Sequence, residues 1–169
     1  MDNKFALDMV SIQRAAAVNS IMKCNVMTEK FGLSLSAEQA KALAEAREKT
    51  LNETSRFEFG ESVLPKLISA FCDSDFIDAD SYCETLMRLQ EIFYMYKNET
   101  LEQVSDDELI AFMRKQYDEV CFGDIDYLEG TCLDRFSSAV RSGADGFSQS
   151  DEAVRWDRNL YWRKLKDMF

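Results

Sequence analysis

Ala79-Asp80-Ser81-Tyr82-Cys83-Glu84-Thr85-Leu86-Met87-Arg88-Leu89-Gln90-Glu91-Ile92-Phe93-Tyr94-Met95-Tyr96-Lys97 is the stretch on which the fold turns. Tyr82, Leu86, Leu89, Phe93 and Tyr96 recur every three or four residues, and Ile92 widens the stripe. That is the period of a helix, not of a strand. Cys83, Met87 and Tyr94 carry apolar character further round, leaving Glu84, Arg88 and Glu91 as a narrow charged strip. A helix apolar on most sides must be covered by several neighbours. The sequence therefore predicts a multi-helix protein with 79–97 in its core.

The flanking sequence supplies those neighbours. A first helix is expected from Leu7 to Thr28, closing before Phe31-Gly32, where glycine can adopt a left-handed backbone. Ser36 with Gln39 three residues on is a capping box, opening an alanine-rich helix (Ala37, Ala40, Ala44) that runs towards Leu51. Ser62 and Pro65 open a short third helix that ends near Cys72, since first-turn amides need no intrahelical acceptor. Ser105 and Glu108 repeat the capping box, with Asp106 and Asp107 in the first turn where the helix dipole favours them. Leu109, Phe112, Met113 and Tyr117 form that helix's apolar side, and Gly123 breaks it. A sixth segment, 124–141, carries Leu128, Cys132, Phe136 and Val140 but is interrupted by Gly130.

Ser142-Gly143-Ala144-Asp145-Gly146-Phe147-Ser148 reads as a linker. Beyond it Val154, Tyr161, Leu165 and Met168 share one side of a last helix, joined by Trp162 and Phe169. The expected architecture is all-α: a compact bundle of about six helices over 1–141, a linker over 142–149, and a C-terminal amphipathic helix over 150–169. That last helix is either an appendage of the same domain or a partner-docking element, with Trp156, Tyr161, Trp162, Leu165 and Phe169 as its docking residues.

Composition narrows the chemistry. The 169 residues contain no histidine, which excludes a histidine general base, a histidine-containing triad and any histidine-ligated metal. The formal net charge is −11, and residues 61–139 hold 6 basic against 18 acidic side chains. Such a segment repels phosphate backbones and anionic lipid, so neither nucleic acid nor membrane is an expected partner. The amino terminus shows no signal-peptide apolar region, and charges interrupt every long apolar stretch. Cys24, Cys72, Cys83, Cys121 and Cys132 are odd in number, irregularly spaced and without a CxxC pair. Reduced thiols in a cytoplasmic protein fit that pattern better than disulfides or structural zinc.

The acidic runs resemble metal motifs only in part. Asp73, Asp75 and Glu84 occupy the first, third and twelfth positions of a calcium loop, but Ile77 offers no side-chain oxygen and Asp78 stands where glycine must turn. Asp78 or Asp80 as a helix cap explains the same carboxylates. Asp124, Asp126 and Glu129 form a second cluster without a glycine-rich phosphate cradle. Glu84, Arg88 and Glu91 suit a surface ion-pair ladder. A cysteine nucleophile lacks an identifiable base. No catalytic, cofactor or metal residue is assigned.

One set of strings carries a resemblance: Asp8-Met9-Val10-Ser11-Ile12-Gln13, Cys24-Asn25, Thr28-Glu29-Lys30-Phe31-Gly32-Leu33, Arg56-Phe57-Glu58-Phe59-Gly60, Phe71-Cys72-Asp73-Ser74, Glu91-Ile92-Phe93-Tyr94, Ser105-Asp106-Asp107-Glu108-Leu109 and Asp126-Tyr127-Leu128-Glu129-Gly130. Across Leu7 to Arg141 the chain resembles an uncharacterised family of small all-helical bacterial proteins, mostly from Gram-positive anaerobes. The resemblance implies a helical fold and transfers no catalytic role.

The function expected from the sequence is that of a non-enzymatic, cytoplasmic helical interaction or accessory protein, binding another protein or a second copy. Two alternatives stand beside it. One is a divalent-metal hydrolase or metal-binding protein, which requires Asp73, Asp75, Asp124, Asp126 and Glu129 to converge. The other is an apolar-ligand bundle lined by Phe93, Tyr94, Met95 and Phe112.

Overall fold

A computed structural model describes residues 2–58 and 62–142. Among these residues there are helices and connecting turns and no strand, so the all-α expectation holds. The elements are α1 (Asp2–Lys23), α2 (Asn25–Thr28), a 3-10 turn (Glu29–Phe31), α3 (Ala37–Glu53), α4 (Leu64–Phe71) and α5 (Tyr82–Glu99). They continue with α6 (Asp106–Glu119), α7 (Ile125–Tyr127), a π-helical turn (Leu128–Leu133) and α8 (Asp134–Ser142). Ser142, read as the first linker residue, is the last residue of α8. The rest of the expected linker, 143–149, and the C-terminal helix expected over 150–169 lie outside the described residues.

The chain divides into two compact units, and the division falls inside α5, between Glu91 and Ile92. Tyr82 and Leu86, in the first half of that helix, belong to the core of the first unit. Leu86, Leu89, Ile92, Phe93 and Tyr94 are all buried.

In the first unit, Ile21 of α1 packs with Ala40, Leu43 and Ala44 of α3, Leu64 and Ile68 of α4, and Tyr82 and Leu86 of α5. The small residues of α3 let α1 approach closely. Ser36 caps α3 as its sequence predicts: the Gln39 amide donates to Ser36 Oγ (3.1 Å) and the Ser36 amide to Gln39 Oε1 (3.0 Å). The first helix differs from expectation. It starts at Asp2 and stops at Lys23, and Asn25–Thr28 is a separate turn. The side chain of Asn25 explains the break, because its Nδ2 donates to the Leu35 carbonyl and its Oδ1 accepts from the Leu35 amide, both at 2.9 Å. That tertiary pairing overrides helix continuity. Gly32 then caps the 3-10 turn at φ 74°, in the left-handed conformation expected of it.

In the second unit, Leu109, Phe112 and Met113 of α6 are buried together with Leu128, Leu133 and Phe136. The rings of Phe112 and Phe136 stack with centroids 4.0 Å apart, and Phe93 meets Tyr94 edge-on at 5.2 Å. Such ring pairs add about 0.5–1.5 kcal/mol beyond their burial. The Ser105–Glu108 capping box forms as predicted, at 3.1 and 3.2 Å. The segment read as one interrupted helix over 124–141 is a short α-turn, a π-turn containing Gly130, and α8.

Candidate functional site

The first half of α1 holds the most conspicuous surface of the first unit. Residues 3–13 are exposed on every side. They include Phe5 (70% exposed), Leu7 (61%), Met9, Val10 and Ile12 (64%). Spacings of four and three place Phe5, Met9 and Ile12 on one side of the helix. Leu7 and Val10 continue, at helical spacing, the line of Ala17, Val18 and Ile21 that packs onto the core further along. Arg14 marks where packing begins. Its guanidinium grips Glu48 of α3 through both carboxylate oxygens, at 2.6 and 3.1 Å, and stands 3.7 Å from Glu45. The hydrogen bond to Glu48 is the first cause of the raised Arg14 pKa, and the charge of Glu48 follows.

Of the carboxylates singled out from the sequence, Asp124 caps a helix and Asp78 closes a turn. Asp124 Oδ1 accepts from the amides of Asp126 and Tyr127, each at 3.1 Å, and so opens α7. Asp78 Oδ1 accepts from the Asp80 amide (3.3 Å) in the turn before α5. The Thr85 amide bonds the Ser81 carbonyl (2.9 Å), which starts that helix. Among the described residues, Asp73, Asp75, Asp124, Asp126 and Glu129 do not join any group of three or more ligand-type side chains that could hold a metal ion. The calcium-loop spacing is thus met by a turn that folds on its own hydrogen bonds. The aromatics of the ligand reading are packed: Phe93, Tyr94 and Phe112 are fully buried, and the Phe112 face is covered by Phe136.

Three features of the second unit were not legible in the sequence. Lys97 is buried, its side chain only 8% exposed, and its ammonium donates to the Val104 carbonyl and lies 2.9 Å from Asp106 Oδ1. Tyr96 Oη donates to the Glu129 carbonyl at 2.6 Å, and burial pushes its phenol up to about 12. The sulfurs of Cys121 and Cys132 stand 3.6 Å apart, both residues buried. The only sequence hint for that pair was a gap of eleven residues, which an earlier pair, Cys72 and Cys83, shares. The thiols of Cys24 and Cys72 instead donate to the Ser20 and Ser69 carbonyls of their own helices. In the first unit, burial raises the pKa of Cys24 and, most strongly, of Tyr82.

Trp156, Tyr161, Trp162, Leu165 and Phe169, the docking residues expected from the sequence, lie outside the described residues.

Fold and surface together define an all-α protein with an exposed apolar helical end. No described helix is long and apolar enough to cross a membrane. The chain matches the model of a family of unknown function, DUF6323, over residues 20–146, and it belongs to that family. The match takes in all but the first of the strings that carried the resemblance, since Asp8–Gln13 precedes it. No curated protein and no solved structure matches the chain.

Proposed function

We propose that this protein is a non-enzymatic helical interaction protein, at work in the bacterial cytoplasm, and that it meets its partner through the first three turns of α1. One observation carries this reading: Phe5, Leu7, Met9, Val10 and Ile12 are all exposed on one continuous helix. A helix apolar on two sides is a helix to be covered.

The partner that fits best is a second copy of this chain. The protein is strongly acidic, with a net charge of −11, so its acidic segment repels that of another copy. The acidic excess lies in residues 61–139, whereas α1 carries no net negative charge, with Lys4, Arg14 and Lys23 against Asp2 and Asp8. Two such helices lying side by side bury apolar surface without bringing acidic surfaces together. Each apolar side chain fully buried is worth about 1.5–3 kcal/mol and association costs about 4–15 kcal/mol, so covering part of the exposed side chains of two α1 helices reaches the roughly 8 kcal/mol of a micromolar dimer. The aromatic residues 150–169 are a second docking element of the same proposal, on the strength of their sequence.

Sedimentation velocity of the full chain tests the α1 contact. A concentration-dependent dimer is expected, and Phe5→Asp with Ile12→Asp should return it to monomer with helicity intact. A monomer at every concentration up to about 100 μM, well above the expected range, ends the reading.

A further inference from the structure

We infer that Cys121 and Cys132 are a site of reversible oxidative modification, closing into a disulfide that ties the end of α6 to the π-turn before α8. The sulfurs are 3.6 Å apart and already share a hydrogen bond. A disulfide needs about 2.05 Å, so each sulfur must move by less than 1 Å along the line between them. Both backbones around the pair are irregular. Cys121 follows the last turn of α6, where its amide bonds the Gln116 carbonyl at 2.8 Å. The next residue, Phe122, is held at φ 48° with its ring exposed, and Gly123 follows at φ 82°. A bulky residue in the left-handed region is strained, and small rotations there relieve it. Cys132 sits within the π-turn Leu128–Leu133, an irregularity often associated with function.

The two thiols differ in their electrostatics. Burial first, and then the contact with Cys132, push the Cys121 thiol up to about 12, with Asp124 adding to the rise. Burial also raises Cys132, and its contact with Cys121 and the charge of Arg135 offset part of that rise. Cys132, the less strongly raised of the two, is the sulfur that reacts first. With hydrogen peroxide as oxidant, its thiolate attacks one peroxide oxygen, the O–O bond breaks, and the departing hydroxide takes up a proton as water. This leaves Cys132 as a sulfenic acid. The sulfur of Cys121 then displaces the hydroxyl group: the S–S bond forms, the S–O bond breaks, and a second water leaves with the Cys121 proton. Two thiols are oxidised by two electrons, and one peroxide is reduced to two waters.

The test uses the full, reduced chain. It is treated with hydrogen peroxide while folded, then unfolded, alkylated and digested, and its peptides are weighed. The expected product is a peptide in which Cys121 is joined to Cys132 with the loss of two hydrogens. Cys24, Cys72 and Cys83 are alkylated, and dithiothreitol restores all five thiols. The oxidised protein should melt at a higher temperature than the reduced one, because the bond closes a loop that the unfolded chain otherwise leaves open. Cys121→Ser and Cys132→Ser should each abolish the linked peptide. Recovery of Cys121 and Cys132 fully alkylated, their conversion to separate sulfinic or sulfonic acids, or a different pairing in the intact protein would overturn the proposal.

Discussion

Lys97, in the last turn of α5, places its ammonium 2.9 Å from Oδ1 of Asp106, in the first turn of α6, and the same ammonium donates to the Val104 carbonyl. The loop between these helices is strained, for Leu101 and Glu102 stand at φ 54° and 60° in succession. Two consecutive non-glycine residues in that region cost about 1–3 kcal/mol each. Lys97 is the clamp that holds them. Lys97→Met leaves the Val104 carbonyl without this donor and should destabilise the protein by about 1–3 kcal/mol. Asp106 is 42% exposed, so Asp106→Asn should cost under about 1 kcal/mol. Urea denaturation midpoints measure both, and equal losses would contradict the clamp.

The core makes a sharper contrast. Phe93 is fully buried and Phe57 is 89% exposed. Phe93→Ala should cost about 3–5 kcal/mol through lost transfer energy and an unfilled cavity. Phe57→Ser should stay within about 0.5 kcal/mol. Thermal and chemical denaturation of the two variants check the pair.

Two glycines should respond with opposite sign. A Cβ added at Gly32 or at Gly130 meets nothing within 4 Å, so space does not separate them. Backbone does. Gly32 sits at φ 74°, where alanine is strained by about 1–2 kcal/mol, so Gly32→Ala should destabilise. Gly130 lies in helical backbone, and Gly130→Ala should stabilise by about 0.4–1 kcal/mol by restricting the unfolded chain. Differential scanning calorimetry reads the two signs directly.

Alkali should unfold the protein in a defined window. Burial is the first cause of the raised pKa values of Cys121 and Tyr96, each pushed up to about 12, and it raises Tyr82 as well. These groups are neutral when protonated, so the folded state keeps protons that the unfolded chain releases near about pH 8.5 for cysteine and about pH 10 for tyrosine. Their stabilisation is complete below those values and is lost as pH rises through them towards the folded pKa values. With no histidine present, stability should be nearly flat from about pH 6 to 8 and fall from about pH 9. Melting temperatures across that range test this, and a maximum near pH 10 would contradict it.

What the sequence revealed, and what it hid, follows from the range of the interactions. The capping boxes at Ser36 and Ser105, the left-handed Gly32 and the buried stripe through Leu86, Leu89 and Phe93 are written within a few residues, and all are found. The break at Cys24 depends on Asn25 reaching Leu35, ten residues away, and helix periodicity carries no trace of that pairing. The burial of Lys97 likewise depends on where Val104 and Asp106 return. The apolar end of α1 was in plain view as Phe5, Leu7 and Ile12, yet periodicity cannot say whether an apolar helix is covered or bare. Only the fold shows that packing starts at Arg14.

The central claim is that residues 3–13 of α1 are a contact surface, and amide hydrogen exchange of the full chain at low and high concentration tests it most directly. Pairing between copies follows mass action, so exchange in those residues should slow as concentration rises, while the buried core about Leu43 and Leu86 is unchanged. Phe5→Asp with Ile12→Asp should remove the slowing. Exchange in 3–13 that is the same at both concentrations, whether fast because the helix is bare or slow because the chain covers it with its own residues, would contradict the account.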